Sequence, residues 1–325
     1  MRHVVPPALH APGDRLLKNL IETVPIPTIM VPPSVVDEPW WLVLAAHETG
    51  HHVYYDLYYE RDRRIDVVAD RVVEALPDRA QDEAVWRTWA LEVFADAFAA
   101  LMVGQASSWA VADLLHGPAA AMAGLPGGSA YPMPLVRAAL IAEVIRLTGN
   151  QDISFSAPQA RDLLESLADA VPQAHLLATA HHLDAVPRVA EALATLPLGD
   201  TTMLEAYAPA PDSFAPRGRV EVWAGKLAQA NPLYRGVDLQ QRPAARFAIA
   251  AGVQAYLALA LAADGAIPSA SLRRLGGNLV KLLTQCEEPG VLRYNEPSID
   301  LDAAADHLVE LLLESASPVA EAGAA

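Results

Sequence analysis

The chain carries a single cysteine, Cys286, in 325 residues. One thiol can close neither an intrachain disulfide nor a cysteine-based metal cluster, so stability must come from the core, and a reducing compartment suits it. Cations are also scarce. Lys and Arg number 23 against 39 Asp and Glu, a net charge of −16. The densest basic stretch, Arg61-Asp62-Arg63-Arg64, is short and interrupted. Binding to nucleic acid needs clustered cations to replace phosphate counterions, so nucleic acid is not an expected partner. Long apolar runs are missing too. The longest, Phe247 to Ala263, contains Gly252 and Gln254 and falls slightly short of a spanning length. It reads as a buried core helix, with no membrane partner expected. The opening Met1-Arg2-His3-Val4-Val5-Pro6-Pro7 has no apolar h-region, so the expectation is a soluble, cytoplasmic protein.

What is abundant is small and apolar. Hydrophobic residues make up 53% of the chain, many of them Ala, which favours helices over strands. The periodicity predicts a mainly α fold with at most a small N-terminal strand or sheet. An N-terminal arm (1–38) holds a possible short helix, Leu16 to Val24, and an edge strand at Thr28–Val31 between prolines. Helices are predicted over 40–59, 66–76, 81–103 and 108–115, and residues 1–134 read as a core region. A Gly- and Pro-rich loop, 117–134, precedes a helical region, 135–325, which carries no recognisable chemistry. Its predicted helices are 135–148, 160–170, 174–183, 188–196, 243–263, 269–285 and 301–315. Residues 197–219, with four prolines, read as a second loop or linker.

The chemistry sits at His47-Glu48-Thr49-Gly50-His51, an H-E-x-x-H pattern. Pro39 can open the helix, and Trp40 to Ala46 run into the motif unbroken. Helical positions i and i+4 lie about 40° apart around the axis, so both imidazoles leave one face a turn apart. Two imidazoles so placed can close on one zinc ion, with Glu48 beside them as general base. His52 points about 100° away from His51 and reads as structural.

A catalytic zinc usually takes three protein ligands, so a third is required. The metzincin extension would need Gly at position 54 and His at position 57. This chain has Tyr54 and Leu57. The best candidate is Glu92, with Asp96 four residues on, both in an apolar helix. Two carboxylates buried there are costly unless something cationic meets them. Zinc would meet Glu92, and the N–H of a ligating His47 or His51 would meet Asp96. Asp56, Asp66, Glu74 and His116 remain rival ligands. Pairing of Glu92 and Asp96 with Arg87, or with a cation on a neighbouring helix, is the structural alternative.

The H-E-x-x-H and the later Glu92-Val93-Phe94-Ala95-Asp96 together resemble the gluzincin metallopeptidases over residues 38–140. The pattern is most like their Ste-type and Oma-type (CAAX-protease-like) group. That group often continues with His-Pro-x-x-x-x-Arg; here Tyr131-Pro132-Met133-Pro134-Leu135-Val136-Arg137 matches at Pro132 and Arg137, with Tyr131 in place of His. The resemblance implies a zincin-like helical catalytic core and an oxyanion-steadying role at position 131, which a tyrosine hydroxyl can also fill. Arg137 could instead simply anchor its helix to a carboxylate. The group's membrane helices are missing, which argues against a lipidated or membrane substrate.

The expectation is therefore a zinc peptidase of the endopeptidase kind, acting on peptides or proteins, with one Zn2+ on His47, His51 and Glu92. Glu48 would be the general base, and Asp96 would support a ligand. Besides Tyr131, His116 and the pair His181-His182 are candidate oxyanion donors. The rival reading is a helical interaction module whose zinc site is structural or degenerate. Either reading leaves room for a regulatory protein partner, and Cys286 reads as a buried inert thiol.

Overall fold

The computed structural model describes residues 35, 37–60, 65–114, 131–149, 157–208, 218–229, 245–263, 267–284 and 286. The expected elements at Leu16–Val24, Thr28–Val31 and 301–315, and His116, lie outside these residues. Within them the protein is mainly α-helical, with two small antiparallel hairpins.

Pro39 opens a 3-10 turn, Pro39–Val43, steadied by the Trp41 indole donating to Glu38 Oε2 at 3.0 Å. The turn runs directly into α1, Leu44–Leu57. Strand β1 (Tyr59–Glu60) then pairs with β2 (Ile65–Asp66). Asp66 next caps α2, Val67–Ala75, by accepting from the Ala69 N–H at 2.8 Å. Its carboxylate also accepts from the Tyr54 hydroxyl, tying the end of α1 to the start of α2. The cap satisfies a helix N–H that would otherwise have no partner.

Helix α3, Arg79–Val103, packs against more of the described helices than any other. Its Trp86, Trp89, Val93, Phe94, Phe98 and Leu101 are all buried, and it packs against α1 and α2. It ends at Gly104, whose φ of 59° favours glycine, and α4 (Gln105–Leu114) follows. Helices α5 (Pro134–Leu147), α6 (Ala157–Ser166) and α7 (Gln173–Ala194) complete one apolar core with α1–α3. The division expected at residue 134 falls inside this core.

Two features differ from the sequence expectation. The predicted helices 174–183 and 188–196 are one helix, α7, with Pro187 inside it. A proline interior to a helix costs roughly 3 kcal/mol. Burial of Leu183, Val186, Val189 and Leu193 around it supplies the offset. Within the expected loop or linker 197–219, the described residues 197–207 form regular structure. Strand β3 (Pro197–Leu198) pairs with β4 (Thr201–Thr202), and α8 (Met203–Tyr207) follows with a capping box between Thr202 and Glu205. Met203 is buried, and the Tyr207 ring packs edge-on against Phe98 of α3.

A second apolar cluster joins Trp40, Val43 and Val103 to α9 (Arg219–Leu227), α10 (Ala245–Ala262) and α11 (Ser269–Leu283). Buried Asn278 of α11 donates to the Leu227 carbonyl at 3.0 Å and so fastens α9 to α11. Helix α10 is long and apolar enough to cross a membrane by length and composition. Its first half is buried in this cluster, while Leu261 near its end is exposed.

Candidate metal site

One close approach creates the site. Gly50 of α1 faces Ala95 of α3, and a Cβ at Gly50 would stand 2.8 Å from the Ala95 Cα. Only two small residues let the helix backbones come this near. The contact lies within the H-E-x-x-H turn and beside Glu92 and Asp96, so it brings the two motifs face to face.

The histidine rings sit one turn apart, centroids 4.7 Å apart and nearly perpendicular. His47 Nε2 lies 3.5 Å from Glu92 Oε2, and His51 Nε2 lies 3.7 Å from Glu92 Oε1. His47, Glu48 and His51 each offer a donor atom within 4.8 Å of the others, a grouping that could hold a metal ion. That grouping comes from α1 alone. Glu92, outside that grouping, reaches the same two imidazoles from α3.

Behind them stands a charge network. His47 Nδ1 is 3.0 Å from Asp96 Oδ1, although the carboxylate lies off the ring N–H axis and no well-aligned hydrogen bond forms. Asp96 is fully buried and grips Arg137 of α5 with both oxygens, at 2.7 and 2.8 Å. The Arg137 guanidinium also lies 3.6 Å from Glu92 Oε2. The Nδ1 of His51 is likewise buried without a hydrogen-bond partner.

The charges follow from this arrangement. Burial would lower the His47 pKa, but Asp96 and Glu92 outweigh it and hold the imidazole up at about 9. Burial, then the neighbouring His47 charge, pushes His51 down to about 4. For Asp96, burial alone would raise the pKa; the Arg137 charge and hydrogen bonds overcome it and bring it down to about 2. Without a metal, a proton on His47 thus offsets the acidic surround. A divalent cation at these nitrogens would have to displace it, so metal uptake would release a proton.

The other sequence candidates have other engagements. Asp66 caps α2, Glu74 is exposed beside Arg71, and Asp56 is exposed. Arg87 pairs with Glu83 and Asp70, not with Glu92 or Asp96. His181 Nε2 sits 2.9 Å from both Asp82 oxygens, and His182 packs against Trp86 and Trp89. Asp82 precedes Glu92 by ten helical residues, about 15 Å along α3, which places this pair away from the site. Tyr131 is exposed, ahead of α5, and within electrostatic reach of Arg137. What the sequence did not reveal was the role of Gly50; a lone glycine inside a helix, opposite an alanine of the second motif, was the available signal.

No protein family, curated relative or solved structure matches this chain.

Asp96→Asn is expected to weaken metal binding about 10–100-fold, the usual loss when support of a ligating histidine is removed. A competition titration against a chromophoric chelator measures it. An unchanged affinity would make Asp96 purely structural.

Proposed function

We propose that this protein is a zinc-dependent peptidase of gluzincin type, with His47, His51 and Glu92 holding one ion. The observation that carries the reading is the Glu92 carboxylate facing both Nε2 atoms, at 3.5 and 3.7 Å. Donors in a tetrahedral zinc shell with bonds of roughly 2.0–2.1 Å lie about 3.3 Å apart, and each imidazole nitrogen stands near that distance from one of the two Glu92 oxygens. Two imidazoles and a carboxylate also match the donor set of catalytic zinc. The histidine and Glu92 side chains retain 12–21% exposure, which leaves the cluster a path to solvent and substrate.

When bound, zinc supplies a Lewis acid that lowers the pKa of a water to about 7. Glu48, half-buried with a carboxylate oxygen within 4.8 Å of a nitrogen of each imidazole, would take a proton from the attacking water and pass it to the leaving amine. Asp96, fixed by Arg137, holds its charge 3.0 Å from His47 Nδ1 and would support that ring as a ligand. Tyr131 is the candidate donor to the developing oxyanion. The substrate is a peptide or protein segment cleaved internally, in the cytoplasm.

The full-length protein, incubated with a panel of unstructured peptides, should cleave them at internal bonds. A zinc chelator should abolish cleavage and added zinc restore it. Cleavage that survives complete zinc removal would contradict the assignment. So would an inert protein whose metal has four protein donors; that outcome would favour an interaction module with a structural ion.

A further inference from the structure

Arg137 is the sole cation in the buried part of α5, flanked by Leu135, Val136, Ala139 and Leu140. Its guanidinium is held in the plane of Asp96 by two short hydrogen bonds. A fork gripped in this way cannot swing, so its position relative to Glu92 is fixed as well. Glu92 then has two unlike oxygens. Oε2 lies toward the Arg137 charge, 3.6 Å away, and is the oxygen nearest His47. Oε1 lies toward His51.

We propose that Arg137 is a positioning residue of the metal site, engaging Glu92 Oε2 so that Glu92 meets the metal through Oε1 alone. The inference rests on the metal-site reading but not on peptidase activity. Its consequence is a coordination position left open. A carboxylate bound through both oxygens would fill more of the shell and crowd out water; a carboxylate bound through one leaves space beside Glu48. Arg137 therefore acts on the metal through Glu92 and, by way of Asp96, through His47. Lysine could not replace it, because an ammonium cannot hold both Asp96 oxygens and still offer a fixed donor to Glu92.

The test uses the full-length protein loaded with Zn2+ or Co2+. X-ray absorption on the zinc form and a crystal structure of it need no variant. One oxygen of Glu92 on the metal, with Arg137 on the other, is the expected result; both oxygens on the metal, or Arg137 turned away from Glu92, overturns the proposal. The Arg137→Lys protein adds a second readout. It should bind zinc about 10–100-fold more weakly and show a weaker, five-coordinate cobalt spectrum in place of the intense four-coordinate band. An Arg137→Lys protein with wild-type affinity and spectrum overturns the proposal. Wild-type protein that takes up neither ion removes the metal site itself, a failure distinct from a variant that matches wild type.

Discussion

Gly50→Val is expected to destabilise the protein by about 3 kcal/mol or more and to remove its metal affinity with the same substitution. A Cβ at position 50 would stand 2.8 Å from a backbone atom, the Ala95 Cα, and 3.2 Å from the Ala95 and Phe98 Cβ atoms. Backbone in the middle of a helix has no rotamer by which to yield, so α1 and α3 must separate. Separation draws the H-E-x-x-H face away from Glu92. Two other helical glycines serve as controls. In Gly252→Ala the added atom meets the flexible end of Leu279, which can repack. At Gly225 it meets nothing within 4 Å, so Gly225→Ala should stabilise by roughly 0.5–1 kcal/mol through helix propensity alone. Thermal unfolding of the three variants checks the order; a Gly50→Val protein as stable as wild type would mean that this helix contact does not form the site.

Glu48→Gln carries the largest expected effect on turnover. The substitution keeps the size and most of the hydrogen-bonding shape of the side chain but removes its capacity to accept a proton. General-base catalysis contributes roughly 10²–10⁴-fold, so peptide cleavage should fall by at least that margin while the zinc content stays unchanged. Steady-state kinetics and metal analysis on the same sample separate the two. Wild-type turnover would remove Glu48 from the chemistry. Loss of zinc together with activity would instead make Glu48 a ligand, a role its place among the α1 donors also permits.

How much of this was legible in the sequence depended on whether the signal was local. The pairs His47/His51 and Glu92/Asp96 repeat at i and i+4, so a helix alone puts each pair on one face. Apolar runs around both pairs announced the helices α1 and α3 that carry them. Pro187 misled because a proline's cost is local, whereas the burial of Leu183, Val186 and Val189 that offsets it is tertiary. Residues 197–219 read as a loop or linker because of their prolines, yet Pro197 lies in a hairpin strand and its carbonyl accepts from the Tyr58 hydroxyl, and α8 packs against α3 and α7. The Asp96–Arg137 clasp spans 41 residues; the sequence could say that a buried carboxylate in such a helix requires a cation and that Arg137 could anchor its helix to a carboxylate, but not that the two belong together. The Asp96 carboxylate is met on one side by an imidazole and on the other by a guanidinium. Gly50 was least legible, since its meaning lies wholly in what faces it.

The most direct test of the account is the zinc content and zinc affinity of the full-length protein beside Glu92→Ala. The wild-type chain should retain one ion through dialysis, and Glu92→Ala should lose affinity by more than the ~100-fold that removal of a supporting residue costs. Equal zinc binding by the two proteins would contradict the convergence of α1 and α3 on a shared ion.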